Sequence, residues 1–248
     1  MDTRLVFASL LAATTSTIAL GACTPAVEDE LAAEDPTELS DAKADESGNY
    51  TYYTVARDLR RCAAPMCGGF WVARVNRTTT KCSDGSYQAQ CYVADVDWAK
   101  LGLGEPALDR VQSNGALLVR ATIGKKTWGT IGSFGQLRPT EAWLGQGPGP
   151  ADGVYVKIEN TGVRCSAAPC PSWREIKLNG SGTANLAELG WDASGASDDA
   201  IGAGIDAAFA RDLIISGDRY TVRGPAGTGK AREVSQFYVR ERPSAARE

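Results

Sequence analysis

Two aspartates, Asp95 and Asp97, stand two positions apart in a β-prone run and therefore share one face of the predicted strand. Paired carboxylates can act as general acid and base, or they can bind a cation. The chain contains no histidine, which excludes Ser-His-Asp and Cys-His nucleophiles and the commonest general base at neutral pH. An aspartate before a short helical stretch is also a common helix cap. We therefore expect no catalytic residue, no metal and no cofactor, and we predict that the protein is not an enzyme.

A glycine-rich segment near the C-terminus, residues 224–231, reads GPAGTGKA and approaches the phosphate-binding pattern G-x-x-x-x-G-K-[ST]. Ala231 stands where that pattern requires the hydroxyl that holds Mg²⁺, and the residues after it favour a strand rather than a helix. The segment is predicted to be a hairpin loop. We expect neither a nucleotide nor a nucleic acid as a partner.

The N-terminus has the form of a secretory signal peptide over residues 1–22. Arg4 precedes the apolar run Leu5–Ala13, and small residues lead to Cys23. The ending Leu20-Gly21-Ala22-Cys23 resembles the lipobox of bacterial lipoproteins, which implies that Cys23 carries acyl chains such as palmitate and becomes the mature N-terminus. Several acyl chains give stable membrane anchoring. An ordinary secretory signal or a retained membrane helix are the alternatives.

The lipid-bearing Cys23 opens a strongly acidic segment, residues 23–48, which carries nine acidic residues and one lysine. Such a composition cannot bury enough apolar surface to fold, so the segment is predicted to be a disordered tether. Thr24 follows the cysteine where an aspartate would indicate inner-membrane retention, which favours the outer membrane, on its periplasmic or surface face. The region 49–149 has twelve basic and seven acidic residues, whereas 150–248 has twelve and thirteen.

The even number of remaining cysteines in an exported chain predicts disulfides. An internal repeat narrows their pairing, because Arg61-Cys62 matches Arg164-Cys165 and Cys67 matches Cys170 at an offset of 103. A second match, between residues 99–102 and 187–190 at an offset of 88, leaves about fifteen extra residues in the first repeat. The predicted pairs are Cys62 with Cys67, Cys82 with Cys91 and Cys165 with Cys170.

The two repeats, 49–149 and 150–248, have the same predicted order of elements: three strands, a helix and two strands. Strands are expected at 50–57, 68–77, 90–97, 116–123 and 133–143, then at 153–159, 173–178, near 184, 213–222 and 233–240, with helices at 105–113 and 198–211. This is the order of a five-stranded OB-type barrel. We predict a mainly β fold with short helices, as two tandem OB-like barrels. One fused sheet or a β-sandwich are the alternatives.

Three segments of the first repeat carry a family resemblance: residues 52–58 (YYTVARD), 61–76 (RCAAPMCGGFWVARVN) and 91–98 (CYVADVDW). They are similar to an uncharacterised family of exported bacterial proteins called domain of unknown function 6748. The resemblance covers the first repeat well and the second weakly. It implies an exported location and names neither an activity nor catalytic residues.

Basic residues cluster around the first two strands and flank an aromatic residue. They are predicted to form one rim of the first barrel as a ligand face: Arg57, Arg60, Arg61, Trp71, Arg74, Arg77 and Lys81. Basic and aromatic groups together suit an anionic polymer, although a solvated basic rim has the same sequence.

The function expected from these features is that of a membrane-anchored lipoprotein of the cell envelope, acting as a non-catalytic binding or interaction module. An anionic envelope polymer or another envelope protein is the expected partner. A structural envelope protein or an inhibitor of secreted enzymes is one alternative, and a carboxylate-dependent hydrolase is another.

Overall fold

The computed structural model describes residues 51–243, so the predicted signal peptide, Cys23 and the acidic tether lie outside the described residues. The described part is mainly antiparallel β, which confirms the predicted fold class. Two α-helices are present, α1 (Glu105–Ser113) and α2 (Asp198–Phe209), and neither is long and apolar enough to cross a bilayer. The strands are β1 (Thr51–Arg57), β2 (Phe70–Arg74), β3 (Thr80–Lys81), β4 (Tyr87–Gln88), β5 (Cys91–Val93), β6 (Asp95–Val96), β7 (Leu117–Thr127), β8 (Ser133–Gly145), β9 (Val154–Asn160), β10 (Trp173–Lys177), β11 (Thr183–Leu186), β12 (Glu188–Gly190), β13 (Leu213–Gly217), β14 (Arg219–Gly224), β15 (Gly227–Glu233) and β16 (Gln236–Glu241).

The sheet of the first half curls back on itself. Its neighbours run β5-β2-β1-β7-β8, all antiparallel, and β6 pairs in parallel with β8. Only Ala94 separates β5 from β6, and its N–H donates to the carbonyl of Gly135 at the start of β8. One chain segment therefore contacts β2 at one end and β8 at the other. This is the strand connectivity of an OB-type barrel, with α1 between the third and fourth strands.

The second half has corresponding pairings. Its neighbours run β11-β10-β9-β13-β16, and β12 pairs in parallel with β15, which also pairs with β14. Here α2 follows the third strand, and its N-cap is Ser197, whose hydroxyl accepts from the N–H of Ala200.

One expected match between the halves is wrong. Residues 187–190 were aligned with 99–102, yet most of them lie in β12, whereas Trp98–Leu101 is a 3-10 helix. The matching 3-10 helix is Asp192–Ser194, so Trp98, the first residue of one helix, and Trp191, the residue before the other, correspond at an offset of 93. The extra residues of the first half form the β3–β4 hairpin, which the Cys82–Cys91 disulfide ties to β5. The other disulfides join Cys62 to Cys67 and Cys165 to Cys170, as the spacing predicts.

The two barrels are joined by one continuous sheet, which is the fused arrangement among the predicted alternatives. The last residues of β8 pair with β16, with Gly145 opposite Tyr238 and Trp143 opposite Arg240. The thirteen residues of β8 allow this, because its early part pairs with β6 and its end pairs with β16. Pro139 lies in this central strand beside a β-bulge in the β7–β8 ladder, where a sheet accepts proline.

Three apolar clusters form the core of residues 51–243. One lies inside the first barrel around Val72 and Leu137, and a second lies inside the second barrel around Ile158 and Phe237. The third lies between the halves and includes Trp143, whose side chain is almost fully buried. The junction therefore has a hydrophobic core of its own.

Two asparagines exchange hydrogen bonds across this junction. The Asn76 amide donates to the carbonyls of Tyr155 and Leu178, at 2.7 and 2.9 Å, and its oxygen accepts from the Tyr155 N–H. In return, the Asn179 amide donates to Tyr52 and its oxygen accepts from the same residue. Both asparagines have positive φ, 57° and 53°, a conformation that asparagine tolerates better than most residues. Each side chain thus holds the first strand of the opposite half.

We predict that Asn76→Asp lowers the free energy of unfolding by about 1–3 kcal/mol, because the Leu178 carbonyl loses the Asn76 amide as its donor, whereas the Tyr155 carbonyl keeps the N–H of Leu178. Asn76→Gly is the control for backbone strain, since glycine accepts positive φ freely but loses the same hydrogen bonds. Both variants should unfold at lower urea concentration than the wild type. An unchanged midpoint for Asn76→Asp would contradict the role of the side chain.

An ionic trio lies in the second barrel, with Glu175 and Arg232 buried and Arg219 exposed. The Glu175 carboxylate accepts from Nε of Arg219 and from Nε of Arg232, each at 2.6 Å. The side chains of Glu175 and Arg232 are both 1% exposed. Arg232 also donates to the carbonyl of Gly217, which ties the trio to the bend between β13 and β14.

The first half has an apolar trio at the corresponding positions, namely Val72, Ile123 and Leu137. Ile123 opposes Leu137 in the β7–β8 ladder as Arg219 opposes Arg232 in the β14–β15 ladder. The same frame is therefore filled by hydrocarbon in one half and by charges in the other.

This difference predicts two opposite outcomes. Glu175→Val alone should lower the free energy of unfolding by about 3–5 kcal/mol, because it leaves Arg232 charged and unpaired in the interior. The triple variant Glu175→Val, Arg219→Ile, Arg232→Leu should regain wild-type stability or exceed it, because a well-packed apolar trio is often neutral or better than a buried ion pair. Thermal unfolding measures both, and a triple variant less stable than the single one would refute the comparison.

Candidate functional site

Arg60, a member of the predicted ligand face, is fully engaged within its own loop. Its guanidinium donates to both carboxylate oxygens of Asp58 at 2.9–3.0 Å. These hydrogen bonds, more than any other contact, lower the pKa of Asp58 to about 2. The guanidinium also lies 5.0 Å from the ring centroid of Trp71 and 5.1 Å from that of Tyr92. Arg60 therefore stabilises the Cys62–Cys67 loop, and its charge is already paired.

The remaining members of the set do not come together on one rim. Arg57 lies opposite Phe70 at one end of the β1–β2 ladder, whereas Arg74 lies opposite Tyr53 at the other end. Arg74 is buried, because its position in β2 faces the same side as Val72, which lines the first core.

Two further members lie beyond the Arg74 end of β2, and one lies on a loop. Arg77 donates to the carbonyl of Asn179 across the junction, and Lys81 belongs to β3. Arg61 is exposed on the Cys62–Cys67 loop. The predicted common rim is thus corrected, since strand alternation and the turn after β2 separate residues that are close in sequence.

The two aspartates considered as catalytic residues, Asp95 and Asp97, differ in their contacts. Asp95 accepts from Nζ of Lys126 at 2.6 Å and from Nε2 of Gln136 at 2.9 Å. Burial raises the pKa of Asp95, but these hydrogen bonds outweigh it and hold the pKa below its usual value. Asp97 precedes the 3-10 helix Trp98–Leu101, and its side chain makes no capping hydrogen bond. Within residues 51–243, no group of three or more histidine, cysteine or acidic residues could hold a metal ion.

The glycine-rich segment forms the predicted hairpin. Gly224 pairs with Gly227 at the turn between β14 and β15. The hairpin packs on the loop closed by Cys165 and Cys170, where the N–H of Ala226 donates to the carbonyl of Ala168 at 2.8 Å. The Cβ of an alanine at Gly229 would lie 2.7 Å from Pro169, so this glycine permits the close approach.

Beside this hairpin, β11 and β15 separate and leave an open slot in the wall of the second barrel. The two strands meet where the N–H of Ala187 donates to the carbonyl of Lys230 at 2.7 Å. From that point β11 pairs only with β10, and residues 227–230 of β15 pair only with β14. The slot has a volume of about 410 Å³ and is lined by Pro169, Pro171, Thr183, Ala184, Asn185, Ala187, Thr228, Gly229 and Lys230.

The edge of β11 directs backbone groups into this slot. The N–H of Lys177 donates to the carbonyl of Gly182, so these two residues are a hydrogen-bonded pair of the antiparallel β10–β11 ladder. Because bonded pairs alternate along such a ladder, Ala184 pairs with β10, while Thr183 and Asn185 direct their N–H and C=O away from it. Thr183 and Asn185 are exposed.

The edge of β15 faces the slot from the other side. The N–H of Glu233 donates to the carbonyl of Asp218, so these two residues are a hydrogen-bonded pair of the β14–β15 ladder. By the same alternation, Thr228 and Lys230 direct their backbone groups away from β14. The bond that Lys230 accepts from Ala187 agrees with this alternation. Two strand edges therefore face one opening.

In the first barrel, the β3–β4 hairpin lies beside the corresponding position. Gly135 corresponds to Lys230. The carbonyl of Gly135 accepts from the N–H of Ala94, which lies between β5 and β6, and the carbonyl of Lys230 accepts from the N–H of Ala187, which lies between β11 and β12. A Cβ on Gly135 would lie 2.8 Å from the carbonyl oxygen of Tyr92 and 3.3 Å from Oγ of Ser83, at the tip of the β3–β4 hairpin. The place that is open in the second barrel is packed by the chain in the first.

Sequence reasoning missed this slot, although one signal was present. The first repeat contains extra residues with a disulfide, and the second repeat lacks them. An element that covers one barrel and has no counterpart in the other indicates an uncovered surface there. The weak strand near residue 184, which lines the slot, gave no indication by itself.

Comparison with known proteins gives one match. The model of a family described as a domain of unknown function (DUF6748) matches residues 51–244, which includes every described residue. No curated protein and no solved structure matches the chain. The matched region spans both halves of the fused sheet, the slot included. The chain belongs to the family called domain of unknown function 6748.

Proposed function

We propose that the protein is a non-catalytic binding module of the cell envelope, held at the outer membrane by lipid on Cys23, whose ligand site is the slot between β11 and β15. The observation that carries the proposal is the position of the slot. In OB-type barrels, ligands bind on the face of the second and third strands, between the loop that joins the first two strands and the loop that joins the last two. Here Pro169 and Pro171 belong to the first of these loops, and Thr228 follows the second.

The location of the domain is supported by its disulfides. Three disulfide bonds in a domain of this size are typical of an oxidising, extracytoplasmic compartment. The residue pattern around Cys23 supports the finer proposal of a lipid anchor, and Thr24 supports the outer membrane.

The lining of the slot indicates which ligands suit it. Lys230 is its single charged side chain, and the other lining residues are small, neutral or proline. A polyanion would need several unpaired cations, whereas Arg60, Arg74 and Arg77 are engaged or buried elsewhere. The lining therefore favours another envelope protein over an anionic polymer.

The anchor leads to a prediction about Cys23. Cells supplied with a labelled fatty acid should label the wild-type chain, whereas Cys23→Ala should remain unlabelled and leave the membrane fraction. Cys62→Ala is the matched control, because it removes a different cysteine and should leave labelling unchanged. Equal labelling of Cys23→Ala and the wild type would refute lipidation at this position.

The slot leads to a prediction about ligand retrieval. The full chain, tagged after Glu248, is incubated with envelope extract beside the variants Thr228→Trp and Thr130→Trp. The first tryptophan obstructs the slot, and the second places the same side chain in the loop between β7 and β8 of the first barrel. The wild type and Thr130→Trp should retain the ligands of the slot. The amount that Thr228→Trp retains should be at least tenfold lower. Identical profiles for all three proteins would contradict the site.

A further inference from the structure

The geometry of the slot points to the class of its ligand. We infer that the slot takes an extended peptide segment of another protein, which pairs with the free edge of β11 as an added strand. This inference rests on the proposed function, because it assumes that the slot is the binding site, and it specifies what binds there.

Backbone groups supply the first argument. Thr183 and Asn185 present N–H and C=O groups to the slot at alternate positions of β11, the spacing that an added strand needs. Thr228 presents its own pair from the opposite wall. A strand hydrogen-bonds to its neighbour at about 4.8 Å, so a peptide next to β11 also lies near β15 where the slot narrows toward Ala187 and Lys230. Such edges attract extended chains in general.

The side chains supply the second argument. Thr183, Ala184, Ala187 and Gly229 are small, so the walls leave room for a backbone rather than filling the slot themselves. Lys230 places one positive charge at its narrow end. The peptide that fits best has small side chains and an acidic residue that reaches Lys230, because a partly desolvated charge pair is stronger than an exposed one.

The first barrel supplies the third argument. There the corresponding place is occupied by polypeptide, namely the tip of the β3–β4 hairpin around Ser83, which the Cys82–Cys91 disulfide fixes to β5. Gly135 makes room for that hairpin, whereas Lys230 stands in its place in the second barrel. A chain segment is thus accommodated at this position in one half of the same molecule, which favours a peptide over a sugar chain as the occupant of the other.

The test uses a library of random linear heptapeptides displayed on phage and selected against the full chain. Selected peptides should bind the wild type and Asn185→Ala equally, within twofold, and should bind Asn185→Pro at least tenfold more weakly. The proline removes an N–H that faces the slot and none that faces β10, a position at which an edge strand tolerates proline. Equal thermal unfolding of the three proteins checks that the strand is intact.

A second measurement does not depend on the folding of any variant. Each selected peptide is synthesised in two forms, N-methylated at odd or at even positions, and tested on the wild-type chain. An added strand bonds through alternate residues, so one form should lose binding at least tenfold and the other should keep it. Loss or retention in both forms would overturn strand pairing.

The remaining outcomes separate this inference from the proposed function. If no heptapeptide is enriched, and the ligand retrieved in a Thr228-dependent manner is an oligosaccharide, the slot is a binding site but the peptide inference is wrong. If a synthetic peptide of residues 24–48 binds in a manner that Asn185→Pro abolishes, the occupant is the chain's own acidic segment and not another protein. If no ligand depends on Thr228 at all, the proposed function itself fails.

Discussion

The reciprocal hydrogen bonds of Asn76 and Asn179 are the contacts on which the joined architecture depends. Each amide reaches from a turn of one half to the first strand of the other, and each both donates to and accepts from the backbone there. With β1 and β9 held in this way, the junction core around Trp143 is enclosed and β8 can pair with β16. The result is one eleven-stranded sheet that runs through both halves, beside smaller sheets of three and two strands. Among the strand edges that remain unpaired in the described part of the chain, those of β11 and β15 face the slot.

The two halves have chemically different side chains at corresponding positions. Val72, Ile123 and Leu137 are apolar in the first barrel, whereas Glu175 and two arginines stand at the corresponding positions of the second, beside its apolar core. A buried ion pair seldom adds stability over an apolar group of similar size, because desolvation offsets the Coulombic gain. Its geometry, however, is directional. The trio joins β10 to β14 and β15, and β10 is the strand with which β11 pairs, with Glu175 opposite Ala184.

The sequence allowed some features to be predicted and not others, for physical reasons. The strand order, α1 and the disulfide pairs follow from local cues such as alternation, turns and the repeated cysteine spacing, which act within a few residues. The β8–β16 pairing depends on edges contributed by distant segments, and no local pattern encodes it. The predicted basic rim does not form, because residues that are close in sequence are not all close in space. Trp71 and Arg74 are three residues apart on a strand, so their side chains face opposite sides, and Arg77 follows a turn that leads to the other half.

The loop beside the slot explains why its edges stay unpaired. A long free strand edge favours aggregation, and proteins usually cover it with a loop or a hairpin. In the first barrel the β3–β4 hairpin provides that cover. In the second barrel the neighbouring loop presents Pro169 and Pro171 to the slot, and a proline has no N–H with which to pair an edge. The loop therefore narrows access to β11 without hydrogen-bonding to it. This arrangement limits non-specific strand pairing with other chains. It leaves the backbone groups of Thr183 and Asn185 accessible to a segment narrow enough to enter the slot.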